Sequence, residues 1–200
     1  LELVRSGSLD VVCREPREVF LRCLEGGIET GFMQIRMEPR TVEHRTGMTI
    51  AKYAWFFRPD DSVSLMRQEM FVTSNLSFER WESRLIVVAP LPKGGGRREI
   101  SQDIESGIRQ DNKLLVGYMG KSIGPQITQK ELDVDRTYAS APWDVILPSI
   151  VDLKKSDLYA FSWYDSSRRG LSLQTFRLAG RKSMPSGKEA TLIEQSEGLV

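Results

Sequence analysis

The chain has 200 residues, and its 40% hydrophobic and 28% charged residues are typical of a folded globular protein rather than a disordered one. Its formal net charge is +1 and its basic residues are spread along the chain, which excludes the clustered positive charge typical of nucleic-acid binding. The longest apolar run, residues 85–91, is far shorter than the ~20 residues of a membrane-spanning helix, so no transmembrane segment is expected.

The N-terminal residues leave the cellular compartment open. The chain begins at Leu1 without an initiator Met, which is compatible with a signal peptide that has been removed. Cys13 and Cys23 lie ten positions apart around a predicted helix, and their spacing permits either a disulfide that closes a small loop or two buried thiols.

A short helix is predicted in the segment "REPREVFLRCLEGG". Its apolar residues recur at helical spacing at Val19, Phe20, Cys23 and Leu24. The segment ends at two glycines, Gly26 and Gly27, which are typical of a helix C-terminus. We therefore expect an N-terminal helix here.

Strands are predicted over most of the remaining chain, because β-branched, aromatic and Met residues alternate with turn formers. The first four are "GFMQIRMEP", "GMTIAKYAWFF", "SVSLMRQEMFV" and "FERWESRLIVV", and "PKGGGRRE" is predicted to be a hairpin loop. Later strands are expected in "IRQDNKLLVGYMG", with a turn at Asp111 and Asn112, and in "PQITQKELDV", "LYAFSWYDSSRRGLSLQTFRLAG" and "EATLIEQ".

One segment interrupts the strand pattern. "SAPWDVILPSIVDLKKSD", residues 140–157, has the start signals of a helix, but Pro148 must kink or split it. The expected fold is therefore mainly β, a β-rich α+β fold in one domain spanning residues 1–200. A single curved antiparallel sheet of about eight or nine strands forms a half-open or closed barrel, and the N-terminal helix and the Pro-broken helical segment cover one face. The C-terminal "SEGLV" has no stop signal, which is compatible with a longer natural chain.

The charged hairpin "MRQEMFVTSNLSFERWESRL", residues 66–85, allows its strand register to be predicted. Setting Met70 opposite Trp81 groups the apolar side chains, although it also sets Glu69 opposite Glu82. Burial of a large apolar side chain contributes ~1.5–3 kcal/mol, more than an exposed cross-strand ion pair, so we expect the apolar match to decide the register. The charged residues then form a solvent-facing surface, with diagonal ion pairs across the strands, rather than a catalytic or anion site.

The sequence contains no recognisable catalytic or metal-binding motif. His44 is the single histidine and lies in a polar stretch without a nucleophile motif. The run "KGGGRR" lacks the Lys-Ser/Thr ending of a phosphate-binding loop, and one histidine with two cysteines is a poor zinc ligand set. We expect no catalytic residue, no cofactor and no metal.

Large apolar side chains are the remaining candidates for function. They form either a filled core or the lining of a cavity for an acyl chain or another apolar small molecule, since Met adapts to irregular shapes. The broken helix would act as the lid of this cavity. The predicted ligand-binding residues are Trp55, Met66, Met70, Trp81, Trp143, Leu147 and Trp163.

The hairpin of residues 66–85, together with "SAPWDVILPSIVDLKKSDLYAFSWYD", resembles bacterial envelope proteins of unknown function whose fold is akin to the lipoprotein carriers LolA and LolB. The resemblance covers roughly residues 46–92 and 138–180 and lies in the strand pattern rather than in a sharp motif. It implies a half barrel covered by helices, a periplasmic or otherwise exported protein, and an apolar cavity. It carries over no catalytic residue, and "DVVC" is a poor lipidation motif.

Two functional hypotheses follow. The first is a non-enzymatic envelope protein that binds a lipid-like or other apolar ligand inside a half barrel. The second is an interaction module that docks a protein partner through an exposed sheet face or an edge strand, without a small ligand.

Overall fold

The fold of the described residues consists of strands. A computed structural model describes residues 15–91, 95–120, 124–135, 137–139, 158–183 and 189–197. These residues form twelve strands, arranged as one eight-stranded and one four-stranded sheet, and include no helix. Contacts divide the chain into two compact units, one with the strands of each sheet. The prediction of a single domain stays a prediction.

The eight-stranded sheet is a meander in which each strand pairs antiparallel with the next. β1 and β8 are the edge strands of this order. The strands are β1 (Arg17–Glu25), β2 (Ile28–Val42), β3 (Arg45–Phe57), β4 (Val63–Thr73), β5 (Phe78–Pro90), β6 (Arg97–Gln110), β7 (Lys113–Gly120) and β8 (Gly124–Asp133).

The second sheet has the order β12–β11–β10–β9. β9 pairs parallel with β10, and the other pairs are antiparallel. The predicted strands of "LYAFSWYDSSRRGLSLQTFRLAG" and "EATLIEQ" are present. The bounds are β9 (Tyr138–Ala139), β10 (Leu158–Asp165), β11 (Gly170–Ser183) and β12 (Glu189–Glu197).

The prediction of an N-terminal helix is wrong, because residues Arg17–Glu25 of that segment form the strand β1. Gly26 and Gly27 both have positive φ, 57° and 84°, and they join Glu25 to Ile28 as a two-residue hairpin turn rather than capping a helix. β2 offers a complete pairing partner, and Val19 and Phe20 favour a strand. Helical spacing alone was therefore misleading.

The predicted fold class is wrong in its helices and in its single sheet. All described elements are strands, and they belong to two sheets rather than one. The Pro-broken segment, residues 140–157, lies outside the described residues. The described ranges contain no helix, and therefore no helix that is long and apolar enough to cross a membrane.

The two faces of the eight-stranded sheet differ in composition, because successive side chains of a strand point to opposite sides. The packed face carries Ile35, Met37, Met48, Ile50, Met70, Trp81, Leu114 and Val116, which are all buried. The charged face carries the alternate residues, including Arg36, Arg67, Glu69, Arg80, Glu82 and Arg84.

The predicted register of the β4–β5 hairpin is confirmed. Met70 is opposite Trp81 and Met66 is opposite Leu85, so Glu69 is opposite Glu82. The predicted turn at Asp111 is also confirmed, since β6 and β7 meet around Asp111, which has a φ of 52°. Apolar matching thus decided which charges face each other.

Candidate functional site

The predicted ligand-binding residues do not lie on one described surface. Met66, Met70 and Trp81 belong to the packed face, whereas Trp55 belongs to the charged face, because it follows Ala54, the residue opposite Met66. Trp163 lies in β10 of the other sheet, and Trp143 and Leu147 lie outside the described residues. Their role as ligand-binding residues stays a prediction.

The packed face is densely filled around Trp81. A Cβ atom added to Gly107 would lie 2.2–2.5 Å from atoms of the Trp81 indole, so the ring covers this glycine directly. The face also includes buried polar side chains that the sequence patterns did not indicate. They are Lys52, Gln68 and Glu79.

A groove of about 450 Å³ lies on the charged face and crosses strands β2 to β6. We call it the arginine groove. Most of its lining residues belong to the charged face. Three others, Met70, Trp81 and Gly107, are packed-face residues that alternate with them along the strands. Its charged and polar lining consists of Arg40, Thr49, Glu69, Arg80, Glu82 and Ser106, and its apolar lining includes Val42, Phe71 and Ile108.

The two acidic residues of the groove are already paired. Glu69 accepts hydrogen bonds from Nε and Nη2 of Arg67 and lies 3.4 Å from the Tyr53 hydroxyl. Glu82 forms a 3.4 Å ion pair with Arg84. Both pairs run along one strand, two residues apart, instead of diagonally across the strands as the sequence had suggested.

The effect of pairing on charge is clear at Arg67. The hydrogen bond and the negative charge of Glu69 raise the pKa of Arg67 above its ordinary value. Arg67 is therefore held in its charged form beside Glu69. The negative charge of Glu69 is balanced beside the groove.

The two arginines of the groove are less engaged. Arg80 has only a long contact, 3.9 Å, to Glu43 in the β2–β3 turn. Arg40 forms no ion pair with any residue in the part of the chain that the structure describes. The groove thus offers two guanidinium groups to a ligand, while its carboxylates are occupied.

The apolar part of the groove is organised by aromatic contacts. Phe71 is buried and its ring lies 6.5 Å from that of Phe78, over which the guanidinium carbon of Arg45 lies at 4.0 Å. Ile108, in contrast, is 46% exposed and presents an accessible apolar side chain. An amphipathic ligand would find both charge and apolar surface here.

The groove lacks the features of a catalytic or metal centre. No His or Cys lines it, and its hydroxyl groups, from Thr49 and Ser106, have no hydrogen-bonded base among the described residues. His44 lies in the β2–β3 turn with a φ of 64°. Within the described ranges, no group of three or more His, Cys, Asp or Glu residues is placed to hold a metal ion.

A second feature of the charged face is an aromatic cluster of Phe32, Trp55 and Phe57. The Phe32 and Trp55 rings are stacked at 4.6 Å, and the Phe32 and Phe57 rings lie 6.1 Å apart. Phe20 and Leu24 of β1, near this end of the sheet, are 69% and 57% exposed. Cys23 of the same strand is a free, half-buried thiol, and Cys13 lies outside the described residues.

Asp165, in the four-stranded sheet, is a buried carboxylate. Its Oδ1 accepts hydrogen bonds from the backbone and the hydroxyl of Ser167, at 2.8 and 2.7 Å, and its Oδ2 lies 3.4 Å from Nε of Arg168. Burial alone would raise the pKa of Asp165, but the Ser167 and Arg168 hydrogen bonds and the Arg168 charge hold it below its ordinary value. These contacts order the β10–β11 turn.

Sequence reasoning missed Arg40, Phe71, Ile108 and Ser106 as site residues. They come from three strands, β2, β4 and β6, and only the successive pairing of β2 through β6 brings them together. Phe71 alternates with Met70 and therefore shares a face with Glu69. This alternation was the sequence signal that could have assigned Phe71 to the site.

Comparison with known proteins gives the fold and no family. No family model matches the chain, and no curated protein matches it. Among solved structures, the chain is similar to a β-barrel-like protein of a domain of unknown function, DUF1849, from Brucella abortus, with a TM-score of 0.57 and 12% identity over 92% of this chain and 79% of that one. The chain thus has the β-barrel-like fold of a bacterial protein of unknown function, and the finer likeness to LolA and LolB stays a prediction.

Proposed function

We propose that the protein is a non-enzymatic binding protein that holds an amphipathic anion in the arginine groove. The ligand has a carboxylate or phosphate group and an apolar chain. The observation that carries this proposal is the unequal engagement of the charges in the groove. Glu69 and Glu82 are paired along their own strands, whereas Arg40 and Arg80 remain available.

The size and the apolar lining of the groove support the same ligand class. Small-molecule sites typically measure roughly 300–1,000 Å³, and the groove measures about 450 Å³. Arginine forms two parallel hydrogen bonds with a carboxylate or phosphate, which fixes the orientation of the head group. Ile108 and Val42 would contact the chain of the ligand.

The proposal changes the location that the sequence suggested, but it keeps the lipid-like ligand. The sequence predicted an apolar cavity among Met and Trp residues, whereas the groove lies on the charged face, with Met70 and Trp81 at its base. A purely apolar ligand would leave Arg40 without an ion pair and Arg80 with only its long contact to Glu43, so we propose an anionic one. Following the resemblance to envelope proteins, we also propose that the protein is periplasmic or otherwise exported, which fractionation of the source cells can test.

Calorimetric titration with eight-carbon ligands tests the proposal. Octanoate and octyl phosphate should bind saturably, and octylammonium and octanol should bind roughly tenfold more weakly or not at all, because a charged hydrogen bond is lost. Arg40→Gln and Arg80→Gln should each weaken octanoate binding by roughly tenfold, because each variant also loses a charged hydrogen bond. Arg22→Gln, at an exposed arginine of β1 outside the groove, is the matched control and should leave the affinity unchanged.

The apolar contribution has its own variant. Ile108→Ser should weaken octanoate binding several-fold through lost apolar contact. Met119→Ser, at a comparably exposed apolar residue that does not line the groove, should not. Equal binding of octanoate and octylammonium, or unchanged binding by both arginine variants, would contradict the proposal.

A second candidate function is the docking of another polypeptide. The exposed side chains of Phe20 and Leu24, beside the aromatic cluster, support it, since clustered exposed apolar residues often mark interaction sites. This surface lies on β1 to β3, at the opposite end of those strands from Arg40 and Thr49 of the groove. The two proposals can therefore be tested independently.

A further inference from the structure

β1 is an edge strand of the eight-stranded sheet among the described strands. Among the described strands β1 pairs only with β2, so the backbone N–H and C=O groups of its other side have no strand partner there. Proteins usually protect such edges with charged side chains, a proline or a bulge. β1 has no proline and no lysine, and the register shift near Cys23 places the extra residue, Thr30, in β2. Its two Arg and two Glu side chains disfavour most partner strands but permit one whose charges are complementary.

We propose that β1 pairs with β1 of a second copy of this chain, antiparallel, around a two-fold axis at Leu21. This inference rests on the second candidate function and names its partner. Leu21 then lies opposite Leu21 of the second copy, and Arg17 lies opposite Glu25 of the second copy. By symmetry the Arg17–Glu25 pair forms twice, once at each end of the paired strands.

The charges of β1 favour this partner. Arg17 and Glu25 are exposed and form no ion pair within the described part of the chain, so both are available. Phe20 would lie opposite Arg22 of the second copy, which permits a cation–π contact. All nine residues of β1 would be paired, which gives the longest overlap that the strand allows.

Neighbouring registers are less favourable. Directly opposite residues of antiparallel strands point to the same side of the sheet. The two-fold axis must therefore pass through a residue of β1 and not between two residues. An axis at Arg22 would set Phe20 opposite Leu24, but it would also set the two Arg22 side chains against each other and leave Arg17 of each copy outside the paired segment. An axis at Phe20 would pair Glu18 with Arg22, although Glu18 already accepts hydrogen bonds from Gln34 and Arg36, at 2.6 and 2.7 Å.

Disulfide trapping tests the register directly. In a chain with Cys13→Ser and Cys23→Ser, we expect Leu21→Cys to form a covalent dimer under mild oxidation, because opposite Cα atoms lie ~4.5–5.5 Å apart, within the range of a disulfide. Phe20→Cys is the matched control, and its two copies would lie diagonally across the strands and cross-link poorly. Efficient cross-linking of Phe20→Cys instead of Leu21→Cys would overturn the register.

Charge exchange tests the association itself by analytical ultracentrifugation of the whole chain. Arg17→Glu and Glu25→Arg should each weaken the dimer several-fold, since each creates two like-charge pairs. The double variant Arg17→Glu/Glu25→Arg should restore it, which a merely damaged strand would not do. A wild-type chain that stays monomeric at high micromolar concentration would overturn self-pairing, whether the edge is covered by another protein or by another part of the chain.

The same samples separate this inference from anion binding. Octanoate titration of the β1 variants should give the wild-type affinity, because no β1 residue lines the arginine groove. Loss of the dimer with unchanged octanoate binding identifies β1 as the interface and leaves the groove proposal standing.

Discussion

The two faces of the eight-stranded sheet are built from the same strands and have opposite properties. Glu69 and Met70 are neighbours in β4, yet the Glu69 side chain is 46% exposed and Met70 is only 2% exposed. One face is packed with apolar side chains, and the other carries the ion pairs and the arginine groove. Since a shift of one residue would exchange the two faces, burial of the apolar set holds every charged residue in its place.

The composition of the packed face explains why its burial contributes more to stability than the ion pairs of the charged face do. Most methionines of the chain lie there, and flexible Met side chains are well suited to fill the irregular spaces of a packed face. They are Met33, Met37, Met48, Met66 and Met70. The charged face contributes less to stability, because exposed ion pairs are weak, and it is therefore free to serve in recognition.

The largest effect should come from removing one packed side chain. Met70→Ala should lower the free energy of unfolding by ~2–5 kcal/mol, through lost burial and the cavity that remains. Glu69→Ala, one residue away on the charged face, should change it by less than ~0.5 kcal/mol. Urea unfolding of both variants measures the difference, and equal effects would contradict the assignment of the two faces.

A smaller effect is expected from overfilling the same face. Gly107→Ala places a methyl group against the Trp81 ring and should cost ~1–3 kcal/mol, with a change in tryptophan fluorescence. Gly95→Ala is the control, because no atom lies within 4 Å of its added Cβ. If Gly107→Ala were as stable as the wild type, the indole would not lie over this glycine.

Asp165 extends the comparison to a charge that is buried in the second sheet. Asp165→Asn should lose ~1–2 kcal/mol of stability at pH 7, because its hydrogen bonds favour the charged form. Its pKa is lowered by folding, so this contribution is present above the unfolded pKa, near 4, and is lost as the pH falls through the folded value. Unfolding curves from pH 7 to pH 2 should therefore converge for the variant and the wild type at the acid end.

The smallest effect concerns the like charges that face each other. Glu82→Arg combined with Arg84→Glu keeps the composition but sets opposite charges across β4 and β5. The melting temperature should rise by roughly 1–3 °C at low salt and by less at high salt, where exposed charges are screened. A fall in melting temperature at low salt would show that the existing same-strand pairs matter more than the cross-strand rungs.

Sequence patterns determined much of this fold, because they act over short distances. Apolar alternation gave the strands and the register of β4 with β5, and turn residues placed the Asp111 hairpin. The same reasoning failed at β1, because two glycines permit both a helix end and a hairpin turn. The presence of β2 as a pairing partner decided between them.

The candidate site was decided by the tertiary structure. The alternation in β4 and β5 already placed Glu69 and Glu82 on one face, but Arg40 and Ile108 join them only after five strands have paired. The ion pairs that occupy the acids and leave Arg40 and Arg80 available depend on side-chain geometry that no local pattern contains. Local alternation therefore fixed the sides of the sheet, and long-range pairing fixed the chemistry of the groove.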